Sequence, residues 1–84
     1  MSEFDRFTVT QLTHMHEDGY HRANDLFTRA EDLMNRMCNT AHGTAEYAAV
    51  KDRYRIAFAA AVEQHQLVLE IGRALTARRE TTGA

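Results

Sequence analysis

The chain has 84 residues, one cysteine, no proline and a formal net charge of −2, from ten Lys and Arg against twelve Asp and Glu. This length allows one domain. The near balance of charge argues against a protein that binds nucleic acid or an anionic membrane through its overall charge. A single cysteine excludes an intramolecular disulfide or a cysteine-rich zinc site.

The first predicted element is a long helix over about residues 5–38, since no proline interrupts the chain. Thr8 and Gln11 have the spacing of a capping box, and Ser2 with Asp5 fits one more loosely. Beyond Thr8 the apolar residues recur mostly at steps of three and four, as they do where antiparallel helices pack together. The stripe comprises Val9, Leu12, Ala23, Leu26, Ala30, Leu33 and Met37.

The pattern stops after Cys38, and residues 39–44 are predicted to form a turn. Asn39 and Gly43 suit the end of a helix, and Thr44 suits the N-cap of the next one. A second helix is predicted over about residues 45–78, followed by a disordered polar tail at 79–84. The apolar stripe of this second helix comprises Tyr47, Val50, Tyr54, Ala57, Ala61, Val68, Ile71 and Leu75.

The second helix carries more apolar surface than one neighbour can cover. Beyond its stripe, Ile56, Phe58, Val62, Leu67 and Leu69 point to several sides. We therefore predict an all-α antiparallel two-helix hairpin that dimerises into a four-helix bundle. The alternative is a short third helix from residues 2–8 that folds back. The predicted partner interface comprises Phe27, Met34, Tyr54, Phe58 and Leu69.

The turn carries a resemblance to a known family. Over residues 9–78 the chain resembles the WxG-motif (ESAT-type) small proteins of type VII secretion, with Ala41-His42-Gly43 where that family has Trp-x-Gly. The segments 45–50 and 67–75 also resemble the second helix of that family. Two features depart from it: Ala41 replaces the Trp, and no Tyr-x-x-x-Asp/Glu export signal follows the second helix, since the last tyrosine is Tyr54.

The resemblance implies a non-enzymatic protein without a cofactor, which is either an export substrate or the escort of one. It implies another helical hairpin as partner, with a heterodimer favoured over a homodimer, together with a secreted effector and a secretion ATPase. The chain would be cytoplasmic before export and then secreted, without a Sec signal peptide. Two other functions stay open: an intracellular adaptor or regulatory hairpin that binds a client protein, and a metal- or nucleotide-handling bundle enzyme.

A polar layer is predicted inside the bundle. If residues whose numbers sum to about 84 lie opposite each other, His16 faces Val68, and Gly19 faces Gln64 and His65. His16 and His65 would then approach each other, and burial would lower the pKa of at least one of them. A hydrogen-bonded layer that specifies register is the favoured interpretation. Exposure of these side chains, a pH switch and a metal pair are the alternatives.

The remaining candidates for chemistry are weak. His14 and His21 share a helix face with Glu17 and Asp18, but this face is the solvated one, so we predict no metal site. Cys38 and His42 are four residues apart, but a hairpin offers no pocket or third group for catalysis.

The distribution of charged and apolar residues also disfavours nucleic-acid binding and membrane insertion. Residues 1–42 carry seven acidic and four basic side chains, and residues 43–84 carry five acidic and six basic ones. This asymmetry favours a protein partner over a phosphate backbone. The longest apolar run, residues 56–62, is far shorter than the ~20 residues that a membrane span needs.

Overall fold

A computed structural model describes residues 3–82 of the chain. Two helices, α1 (Val9–Cys38) and α2 (Ala45–Thr82), pack against each other along their length. The molecule measures 59 × 20 × 16 Å, with a radius of gyration of 17.8 Å, whereas a compact chain of this length has about 12 Å. The all-helical hairpin is confirmed, and its elongated shape leaves little interior.

Helix α1 begins where its cap is complete. The Thr8 hydroxyl accepts a hydrogen bond from the Gln11 N–H (3.1 Å), and the Gln11 side-chain oxygen accepts one from the Thr8 N–H (2.8 Å). This capping box satisfies two backbone donors at the helix start. The helix therefore begins at Val9, four residues later than expected, and Ser2 lies outside the described residues.

The turn connects Asn39, the C-cap of α1, to Thr44, whose hydroxyl accepts a hydrogen bond from the Tyr47 N–H (3.1 Å). Gly43 has a φ of 80°, a left-handed conformation that only glycine adopts without strain. Helix α2 continues to Thr82, so the tail predicted from residue 79 is wrong for residues 79–82. Arg and Glu are good helix formers, and nothing in this stretch breaks the helix; residues 83–84 lie outside the described part.

The seam between the helices is built mainly from small residues. Gly19 lies so close to α2 that an added Cβ would meet a Val68 methyl carbon at 3.0 Å. Such a seam lets the helix backbones approach closely but buries little apolar area. The larger apolar side chains are therefore displaced to the two sides of the hairpin. The buried seam residues are Gly19, Ala23 and Ala30 of α1 with Val50, Ala57, Ala61 and Val68 of α2.

The largest buried side chains meet at the open end of the hairpin. Leu12 packs there with Ile71, Leu75 and Phe4, which is only 7% exposed. The segment before α1 thus folds back onto the helices, but as turns rather than the short helix considered above. A hydrogen bond from the Phe7 N–H to the Phe4 carbonyl closes one turn (3.1 Å). The Arg78 guanidinium donates to the Asp5 carbonyl at 2.6 Å.

Phe4→Ala is expected to lower the free energy of unfolding by about 2 kcal/mol. The substitution removes a buried ring from the open-end cluster, and its position at the end of the hairpin allows some relaxation of the cavity. Urea unfolding followed by circular dichroism measures the change. Glu3→Ala, at an exposed neighbouring position, is the control. An unchanged midpoint for Phe4→Ala would mean that residues 3–7 do not contribute to the fold.

Candidate functional site

One side of the hairpin exposes a row of large apolar side chains, which we name the aromatic face. The Phe27 ring of α1 lies 6.2 Å from the Phe58 ring of α2 in an edge-to-face arrangement, and Tyr54 lies 5.9 Å from Phe58. Heptad and four-residue spacings extend this row along both helices. The aromatic face comprises Tyr20, Phe27 and Met34 of α1 with Tyr54, Phe58, Val62 and Leu69 of α2.

The five residues predicted for the partner interface all belong to this face. Met34, Phe58 and Leu69 are 40–45% exposed, and Phe27 and Tyr54 are half-buried. Side chains of this size and exposure are those that protein interfaces bury. Their part in binding a partner stays a prediction.

Charged residues of opposite sign border the aromatic face. Glu31 follows Phe27 by four residues on α1, so it lies at the outer edge of the face on that side. On α2, Arg73 follows Leu69 by four residues, and Lys51 precedes Tyr54 by three. All three are exposed, and none forms an ion pair within residues 3–82. The α1 edge therefore carries the negative charge of Glu31, and the α2 edge carries the positive charges of Lys51 and Arg73.

The structure does not bring the two histidines of the predicted polar layer together. His16 lies beside Gly72, where its ring nitrogen would be 3.5 Å from an added Cβ. The exposed His65 instead places its ring 6.1 Å from that of Phe27. Gly72 and His65 are seven residues apart, about 10 Å along α2. The predicted approach of His16 and His65 is therefore wrong.

The error lies in where the two histidine side chains are placed rather than in the overall pairing of the helices. Gly19 lies against both Gln64 and Val68 of α2, and His16 lies about one helical turn beyond Val68, beside Gly72. The Gln64 amide donates to the Gly19 carbonyl at 3.5 Å, a long and weak hydrogen bond. No polar side chain of the described residues is buried. The buried histidine pair that the sequence predicted is therefore not formed by the described residues.

The two helical glycines should respond differently to alanine. Gly72→Ala places a Cβ at ordinary contact distance and is expected to raise the free energy of unfolding by about 0.5–1 kcal/mol through helix propensity. Gly19→Ala brings the same gain, but its Cβ would crowd a Val68 methyl carbon at 3.0 Å and force that side chain to shift. Its free energy of unfolding is therefore expected to be about 1–2 kcal/mol lower than that of Gly72→Ala. Urea unfolding of both variants measures the difference. Equal stabilisation would show that the seam at Gly19 is not tightly packed.

The other candidate residues for chemistry form no metal-binding cluster within the described part of the chain. His14 and His21 are both exposed, and no three side chains of His, Cys, Asp or Glu converge on a metal-sized site within residues 3–82. Cys38 is an exposed free thiol, and the His42 ring stacks on Tyr47 with centroids 4.5 Å apart. The turn residues Ala41, His42 and Gly43 are all exposed at the tip of the hairpin.

A second exposed surface, which we name the arginine groove, was not predicted as a site. Its apolar floor is formed by Leu26, Leu33 and Ile56, and Ile56 is the most exposed large apolar side chain of the described residues, at 72%. Arginines from both helices surround this floor, with one carboxylate, Asp32, among them. The signal in the sequence was the seven-residue spacing of Arg22, Arg29 and Arg36 along α1. The arginine groove comprises Leu26, Arg29, Leu33 and Arg36 of α1 with Arg53 and Ile56 of α2.

Comparison of the chain with family models, with curated proteins and with solved structures gave no match. The resemblance to the WxG-motif family therefore rests on the sequence features described above. Within residues 3–82 neither helix has a stretch that is long and apolar enough to cross a membrane.

Proposed function

We propose that this protein is a non-enzymatic helical hairpin that binds a second helical hairpin through its aromatic face, forming a four-helix bundle. The observation that carries this proposal is the uncovered aromatic face itself. Tyr20, Met34, Phe58, Val62 and Leu69 are each 36–54% exposed along one side of a molecule only 16–20 Å thick. Exposed apolar rows of this kind mark protein–protein contacts.

A second hairpin suits this face better than a globular partner does. The apolar row follows two long antiparallel helices, and another helix pair can cover it along its length with the packing of a four-helix bundle. The negative charge on the α1 edge and the positive charges on the α2 edge favour a partner that places a basic edge beside Glu31 and an acidic edge beside Lys51 and Arg73.

The biological setting that we propose is type VII secretion, with this chain as an export substrate or as the escort of a secreted effector. The proposal rests on the Ala41-His42-Gly43 turn between two helices and on the resemblance of the second helix. We propose that the partner is a hairpin of different sequence, whose edges complement the charges beside the aromatic face.

The test is the mass of the complex and the fate of the chain in its host. Light scattering of the protein alone and mixed with a hairpin protein encoded beside it should give a one-to-one complex of the two chains. Deletion of a neighbouring FtsK-type secretion ATPase should remove the chain from the culture medium. A chain that stays monomeric with every such partner contradicts the hairpin pairing. A complex that never leaves the cell contradicts the secretion role and supports an intracellular adaptor.

A further inference from the structure

We infer that the arginine groove is a second docking site, which binds an acidic amphipathic helix of a partner protein. This site differs from the aromatic face in position and in chemistry, and its use does not require the hairpin dimer. It would let one molecule hold a second hairpin on one side and a helical segment of a client on the other.

The position of the groove follows from the geometry of α2. Ile56 and Phe58 are two residues apart, which is about 200° around a helix, so they project to opposite sides. Phe58 contacts Phe27 on the aromatic face. Ile56 instead lies with Leu26 and Leu33 in the arginine groove. A partner on the aromatic face therefore leaves the groove open.

The apolar floor argues for a helix as the occupant. Leu26 and Leu33 are seven residues apart on α1, and Ile56 lies across from them on α2. A groove between two helices with apolar residues at this spacing accepts the apolar stripe of a third helix. A small free anion would not cover a side chain that is 72% exposed, as Ile56 is.

The charge of the groove argues for acidic residues beside that stripe. Arg29, Arg36 and Arg53 face it from both helices, against the single carboxylate of Asp32. Within residues 3–82 none of the three guanidinium groups forms an ion pair or a hydrogen bond with another side chain. Guanidinium groups at the edge of an apolar groove favour carboxylates on the bound helix through charge-assisted hydrogen bonds.

The test uses the full chain and three synthetic peptides of about 15 residues, or about 22 Å when helical. The first has leucines at positions i, i+3, i+4 and i+7 with glutamates beside them. The second has the same composition rearranged to remove the stripe, and the third has lysine in place of glutamate. By fluorescence anisotropy, both controls are expected to bind at least about tenfold more weakly than the first peptide, and added salt should weaken its binding.

Matched variants of the protein locate the binding site. Ile56→Asp and Arg53→Glu should each weaken binding of the acidic peptide at least about tenfold, since each removes a contact and adds a repulsive charge. Arg73→Glu changes a residue beside the aromatic face, so its affinity for the acidic peptide should stay within about twofold of that of the unaltered protein. Because Ile56 is largely exposed, its variant should fold, which circular dichroism checks.

Three results would overturn the inference. The first is equal binding of the rearranged peptide, which would mean that no helix groove is recognised. The second is a lower mass of the unliganded protein after Ile56→Asp, which would place a second copy of the chain in the groove. The third is Arg53-dependent binding to phosphatidylglycerol vesicles without binding of the acidic peptide. Failure of the proposed hairpin pairing is distinguishable from failure of this inference, because Phe58→Asp should retain peptide binding while losing the complex with the partner hairpin.

Discussion

Phe58→Asp is expected to separate the bundle into single hairpins while leaving the helix content unchanged. Phe58 lies at the centre of the aromatic face, in contact with Phe27 and Tyr54, and is 45% exposed in the single chain. A carboxylate there would be desolvated by the partner without a paired charge. We expect the dissociation constant to rise at least about a hundredfold, or about 2.7 kcal/mol.

Sedimentation velocity over a range of concentrations measures this change, together with circular dichroism. Ala59→Asp is the matched control, because it introduces the same charge one residue later at an exposed position away from the aromatic face. It should leave the mass unchanged. If Phe58→Asp retains the mass of the unaltered complex, the partner does not bind on the aromatic face.

Leu12→Ala is expected to lower the free energy of unfolding by about 3 kcal/mol. Leu12 is fully buried and is the largest side chain of the described residues with so little exposure. It packs with Phe4, Ile71 and Leu75, so its loss leaves a cavity where the hairpin buries most of its large side chains. The rest of the seam consists mainly of Gly and Ala, so it buries few large side chains that could compensate for the lost contacts.

Urea unfolding at a fixed protein concentration measures the loss, because association with a partner adds to the apparent stability. Leu67→Ala is the control, because it removes the same atoms from a side chain that is 39% exposed. We expect it to lower the free energy of unfolding by about 1 kcal/mol or less. Equal losses for the two variants would contradict the assignment of the open-end cluster as the core of the hairpin.

The two docking surfaces share one physical origin. Because Gly19, Ala23, Ala57 and Ala61 bring the helix backbones close together, the seam cannot enclose large side chains. Those side chains lie on both flanks of the hairpin, with Phe58 on one and Ile56 on the other. The close packing of the seam and the exposure of the flanks are therefore consequences of the same residues.

Much of the fold could be predicted from local patterns. The lack of proline, the two apolar stripes, and the caps at Thr8 and Thr44 predict two helices and a turn, because these signals act within one or two helical turns. Gly43 adopts the left-handed conformation that its place in the turn suggested. The surplus of apolar residues on the second helix also indicated that large side chains would stay exposed.

Only the tertiary structure decided how the helices are aligned and what covers their open end. Sequence spacing placed His16 opposite Val68 and close to His65, but His16 lies beside Gly72, and Gly19 packs against both Val68 and Gln64. A turn constrains register only to within about one helical turn, and the close contact of Gly19 with Val68 selects among the alternatives. The burial of Phe4 likewise depends on Ile71 and Leu75, about seventy residues away in the chain, and no local pattern reports a contact over that separation.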